Sequence, residues 1–176
     1  MNILKENKAA IFFLLFFVGF YILLNTIYGF YIEYYSPQAD PITKVVSKQV
    51  AFFLSLFDPS VFATPSIDSR NIAISNGYRK VITVFEGCNG INVMIVFASF
   101  LVAFRGAIKR TIIFLAGGLV IIYFVNLVRV ALLYLVEIHF PKYMYFVHKY
   151  FFTGCIYAIV FVMWYVWIKS IKRERD

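Results

Sequence analysis

A thiol, an imidazole and a guanidinium stand out in a chain that is otherwise strongly apolar: Cys88 in EGCNGI, His148 in FVHKYFFTG and Arg129 in NLVRVALL. Cysteine acyl transfer needs these three groups: a sulfur nucleophile, a base to take its proton, and a cation for the oxyanion that forms. Each also has a plainer role. A lone cysteine is often a small buried hydrophobe, an arginine near a membrane boundary can snorkel, and a histidine among aromatics can anchor a helix end.

Cys88 lies between Gly87 and Gly90 at the expected start of a helix, where free amide N–H groups and the helix dipole favour a thiolate. Arg129 falls about 18 residues into its apolar run, roughly 27 Å along a helix, near the far boundary of a hydrocarbon core about 30 Å thick. Asn126 is one turn earlier, so Asn126 and Arg129 share a face. Apolar residues continue to Val136, which argues against Arg129 as a mere helix-end anchor. His148 immediately precedes the last apolar run and can be held by the helix it joins, whereas His139 sits in the turn before Pro141. Cys155 follows His148 by seven residues, which on a continuous helix puts it on the same face, two turns deeper and inert. A Cys88–Cys155 disulfide is the alternative use of the two sulfurs. Glu86 is open between orienting His148 and capping the start of the helix.

The elements that must position these groups read as membrane spans. The 176 residues are 62% hydrophobic and 15% charged, with mean hydropathy +0.79, well outside the soluble range. Four apolar stretches have about the length of a span: residues 9–30, 88–105, 111–136 and 151–168. The first is too long for a signal-peptide core and has no small-residue cleavage site after it, so an uncleaved anchor is expected. The net charge of +8 is topological: Lys5, Lys8, Arg105, Lys109, Arg110, Lys169, Lys172, Arg173 and Arg175 cluster beside these runs. That argues against nucleic acid as a partner and, by the positive-inside rule, puts both termini and the 105–110 turn in the cytoplasm. Cys88, Arg129 and His148 then share the extracytoplasmic side. Residues 45–57 are too short to span comfortably and read as an interfacial or re-entrant helix, with a fifth span as the alternative. Residues 70–85 read as a hairpin, NIAIS and YRKVITVF, closed by an Asn76-Gly77 type I′ turn. The expected fold is thus an all-α integral membrane protein, one unit over residues 1–176, with about four transmembrane helices, an interfacial helix and a small extracytoplasmic β-hairpin. No CxxC pair or Cys/His spacing suggests a metal, and no cofactor is expected.

Three segments in this order, Glu86-Gly87-Cys88-Asn89-Gly90, Asn126-Leu127-Val128-Arg129 and His148 followed by Gly154, resemble the exosortase/archaeosortase family of membrane transpeptidases. The likeness covers roughly residues 80 to 168 and is to compact members, of the exosortase F type. It implies a cysteine transpeptidase or peptidase of the inner membrane. Cys88 would be the nucleophile, His148 the general acid and base, and Arg129 the oxyanion donor, with Asn126, Glu86, Asn89 and Gly90 in support. The implied partners are exported proteins whose C-terminal sorting signal, of the PEP-CTERM kind, joins a short motif, an apolar helix and a basic tail. The rival readings are a non-enzymatic membrane scaffold and a thiol oxidoreductase using Cys88 and Cys155. A transporter is disfavoured, because the first, second and fourth runs carry no chain of ionisable groups.

Overall fold

The computed structural model describes residues 8–67, 69–104 and 106–172. Of the charged residues named above, Lys5, Arg105, Arg173 and Arg175 lie outside the described residues.

Three helical stretches are long and apolar enough to cross a membrane: Lys8–Tyr34, Ile108–His139 and Pro141–Ile171. The first is α1 (Lys8–Tyr34), and its outward face, with Leu14, Leu15, Ile22 and Leu23, is largely exposed. Such a surface suits lipid, and the chain is a membrane protein. A second helix, α2 (Pro41–Ser55), starts earlier than the 45–57 expected. Asp40 sets its start, accepting from the amides of Ile42 (2.9 Å) and Thr43 (3.0 Å), while Pro41 occupies the first turn. Its buried stripe, Thr43, Val46, Ser47, Val50, Ala51 and Leu54, follows helical spacing.

A three-stranded antiparallel sheet comes next: β1 (Val61–Pro65), β2 (Ile72–Asn76) and β3 (Arg79–Val84), in the order β1-β2-β3. Two expectations change here. The hairpin gains a third strand, β1. Its turn is Gly77-Tyr78, because Asn76 pairs with Arg79. Gly77 has φ +55°, while no non-glycine residue among those described has positive φ, so the turn has the II′ rather than the I′ pattern. The register also passes from Ser75↔Lys80 to Ile74↔Ile82, leaving Val81 as an extra, bulged residue.

A 3₁₀ turn, Glu86–Cys88, leads to α3 (Ile91–Ala103), which at 13 residues is shorter than the 88–105 run expected. The 32-residue α4 (Ile108–His139) ends at Phe140, because Pro141 bars the α conformation there and φ is −138°. A 3₁₀ turn, Pro141–Tyr143, then α5 (Met144–Phe146), a π-helical turn (Val147–Phe151) and α6 (Phe152–Lys172) complete the chain.

Two cores result. One joins Val50 and Leu54 of α2, Ile74, Ile82 and Val84 of the sheet, and Val130, Ala131 and Tyr134 of α4 around Cys88. The other packs Phe97 and Leu101 of α3 against Ile122 of α4 and Val160, Met163 and Trp167 of α6. In the second core Gly118 lies directly under the ring of fully buried Phe97, with no room for a Cβ. Gly118→Ala should therefore destabilise the protein by about 1–3 kcal/mol, seen as earlier thermal unfolding in detergent.

Candidate active site

The 3₁₀ turn after β3 and the π-helical turn bring Cys88 and His148 together. Cys88 Sγ lies 3.8 Å from His148 Nε2, within hydrogen-bonding reach of a sulfur. Both line a cleft of about 540 Å³ bounded by β3, the last turns of α4 and the start of α5. Arg129 acts electrostatically on both groups. Its Nε is buried and has no hydrogen-bond partner among the described residues.

Cys88 is held from several directions. Its amide donates to the Phe85 carbonyl at 2.8 Å, closing the 3₁₀ turn. Asn126 Nδ2 donates to the Cys88 carbonyl at 2.9 Å, which fixes the turn against α4. Gly90 follows at φ +86°, a conformation an L side chain rarely adopts, and a Cβ there would stand 3.0 Å from Asn126 Cγ. Both the left-handed backbone and the close approach require glycine.

Asn89 is fully buried and ties three elements together. Its Nδ2 donates to Tyr28 Oη at 2.7 Å and to Thr43 Oγ1 at 3.0 Å, and its Oδ1 accepts from the Ile91 amide at 3.0 Å. Thr43 Oγ1 in turn donates to Asp40 Oδ2 at 2.5 Å. Asn89 is thus a structural knot between α1, α2 and the start of α3. Tyr28, Asp40 and Thr43 were not singled out from sequence. The Asp40-Pro41-x-Thr43 cap pattern was the available signal, since it predicts where Thr43 sits at a helix start.

Glu86 also has a partner that the sequence did not suggest. Its carboxylate lies 3.8 Å from Arg70 Nη1, and Arg70 also bonds Glu33 at 2.6 Å. It stands in the first turn of the 3₁₀ helix and lies outside the Cys88–His148 cleft lining. Arg70 thereby fastens the cysteine loop to the end of α1, a link sequence reading missed because no local pattern joins residues so far apart.

His139 is exposed in the last turn of α4 and does not line the cleft. Cys155 is exposed and both cysteines are free, so no Cys88–Cys155 disulfide is present. The expected alignment of Cys155 beneath His148 fails at the π-helical turn. That turn contains one residue more than an α turn, which rotates the helix beyond it by about 100°. The buried face of α6 is set instead by Phe152, Ile156, Val160 and Met163.

Electrostatics at Cys88 also correct an expectation. Burial pushes the Cys88 thiol up, and the Glu86 carboxylate adds to the rise; the Arg129 guanidinium and a hydrogen bond from the Phe85 backbone offset it only in part. A thiol pushed up in this way depends on a base for activation. Because Arg129 favours the thiolate, Arg129→Ala should raise the thiol pKa further. In a Cys155→Ala background, the pH profile of Cys88 alkylation by iodoacetamide, followed by intact mass, should move to higher pH in the Arg129→Ala enzyme.

The family model of the transmembrane exosortases (Exosortase_EpsH) matches residues 5–168, nearly the whole chain and all of the elements that build this cleft. The chain belongs to the transmembrane exosortase family. Family membership implies a membrane-embedded transpeptidase or protease role, of the cysteine type, acting on exported proteins with C-terminal sorting signals. Comparison with curated proteins and with solved structures gives no match. The exosortase fold seen here is therefore an all-α membrane bundle carrying a small three-stranded sheet at one end.

Proposed function

We propose that this exosortase cleaves C-terminal sorting signals of the PEP-CTERM kind through a Cys88 thioester at the extracytoplasmic rim of the inner membrane. The observation that carries the reading is the 3.8 Å approach of Cys88 Sγ to His148 Nε2 inside a cleft. His148 Nε2 takes the thiol proton, and the sulfur attacks the scissile carbonyl carbon. The oxyanion so formed is stabilised by Arg129, whose buried Nε has no other partner among the described residues. Collapse breaks the C–N bond, and the proton on His148 passes to the departing amine. The thioester then passes to an amine or a water, which gives its proton to His148 as it attacks, and the thiolate leaves. Holding the client's apolar helix in the membrane makes the first attack effectively intramolecular.

The orientation follows the charge pattern of the sequence: both termini and the 105–110 turn lie in the cytoplasm, and the sheet and cleft lie outside. The test is intact-mass analysis of membrane-anchored surface proteins from cells carrying the native enzyme or Cys88→Ala. Clients should retain their C-terminal apolar helix and basic tail only with the alanine enzyme. Identical masses in the two strains would remove the catalytic reading.

A further inference from the structure

The walls of the cleft bear on how a client is held. β3 is an edge strand: among the described residues the sheet order pairs it with β2 alone. Residues 81–85 all line the cleft, in unbroken succession, and lead directly to Cys88. Side chains alternate between the two faces of a strand, so a cavity against one face would touch every second residue. Beyond the bulge, Ile82, Thr83 and Val84 in succession mean that the strand presents its edge, with backbone N–H and C=O groups, to the cleft. A free edge is a template for another extended chain, and natural proteins cap such edges unless they use them. The bulge at Val81 bends β3 and limits the regular edge to residues 82–84, about 10 Å of extended chain, which the extended backbone of Phe85 continues toward the cysteine turn.

The other edge of the sheet differs. β1 ends in Pro65, which lacks an amide donor, and β1 does not line the cleft. Across the cleft from β3 stand Leu133 and Glu137 of α4 and Tyr145 of α5, so a bound chain would lie between a strand edge and a helical wall. The hairpin end of β3 carries Arg79 and Lys80, both exposed, while the opposite end runs into the turn before α3. A chain coming from a water-exposed domain and entering the membrane would travel the same way, past the hairpin first and Cys88 last.

We propose that the short motif of the sorting signal binds as a fourth strand on the free edge of β3, parallel to it, so that main-chain hydrogen bonds deliver its scissile carbonyl to Cys88. This rests on the sorting-signal reading above and specifies how that substrate is recognised. Alternate residues of the motif bond β3 through their backbone, and those between do not. Backbone pairing supplies affinity, and side-chain pockets in the cleft supply selectivity at the bonded register.

The test uses the full-length enzyme in lipid nanodiscs and a synthetic peptide with the motif and apolar helix of a client found by the mass comparison. Each of the four residues before the scissile bond is N-methylated in turn, and kcat/KM is measured. Loss of one bonded amide should reduce it about tenfold, at every second position, with little effect between. Backbone esters, which remove the same N–H without added bulk, should repeat the alternation. Equal losses at neighbouring positions, or none, would overturn strand addition while leaving cleavage intact. Cleavage of the unmodified peptide that is absent, or that persists in Cys88→Ala, would instead overturn the proposed function and this inference with it.

Discussion

Cys88→Ser should abolish client cleavage rather than slow it, a loss on the order of 10⁶ in single-turnover rate by comparison with removal of other enzyme nucleophiles. Serine keeps the size of the site nearly unchanged, so the buried turn, its Phe85 bond and its Asn126 bond all survive. What changes is the nucleophile. A hydroxyl is far less acidic than a thiol, and burial, which already pushes the Cys88 thiol up, penalises an alkoxide as well. The oxygen also sits closer to its own Cβ than sulfur does, so the approach to His148 Nε2, already 3.8 Å, opens further. Retained insertion and thermal stability with no detectable product, followed by mass spectrometry, is the expected pair of results. Substantial cleavage by the serine enzyme would place the nucleophile elsewhere.

The second large effect separates the two histidines. His148→Ala should lower kcat by about 10²–10⁴, the range for loss of a general acid–base, because a thiol pushed up by burial depends on a base. His139→Ala should stay within about twofold, since the ring is exposed and does not line the cleft. A pH–rate profile distinguishes acid–base loss from damage to the fold. The His148→Ala enzyme should keep normal unfolding behaviour, and its residual rate should rise with pH as the thiol ionises without help. Equal losses in both variants would contradict the assignment of His148.

How much of this was legible in the sequence depends on the range over which each feature is determined. The long helices follow from apolar runs of span length, a property of each segment alone. The Cys88, Arg129 and His148 segments were visible because polar groups in apolar runs are costly and so conspicuous. Features set by tertiary contact were not. β1 is five residues ending in a proline, a weak strand signal that gains stability only by pairing with β2. The Asn76-Gly77 pair marked a turn correctly but not its register: Asn76 pairs with Arg79, which makes Gly77 and Tyr78 the turn residues, and the bulge at Val81 shifts the pairing again further along. The π-helical turn leaves no local pattern, yet it decides that His148 faces the cleft while Cys155 does not. Glu86 looked like a helix-start residue, and only the fold brings Arg70 beside it.

The brevity of α3 has a consequence for the surrounding lipid. Its 13 residues cover about 20 Å, whereas α1 and α4, with 27 and 32 residues, cover about 40 and 48 Å. A bilayer of ordinary thickness exceeds α3 by about 10 Å, and the stacked rings of Phe100, Phe104 and Trp164, with Phe13 edge-on, fill the space beside its last turn. On the proposed topology the hydrophobic mismatch falls on the helix that directly follows the cysteine loop, so client cleavage should respond to acyl-chain length.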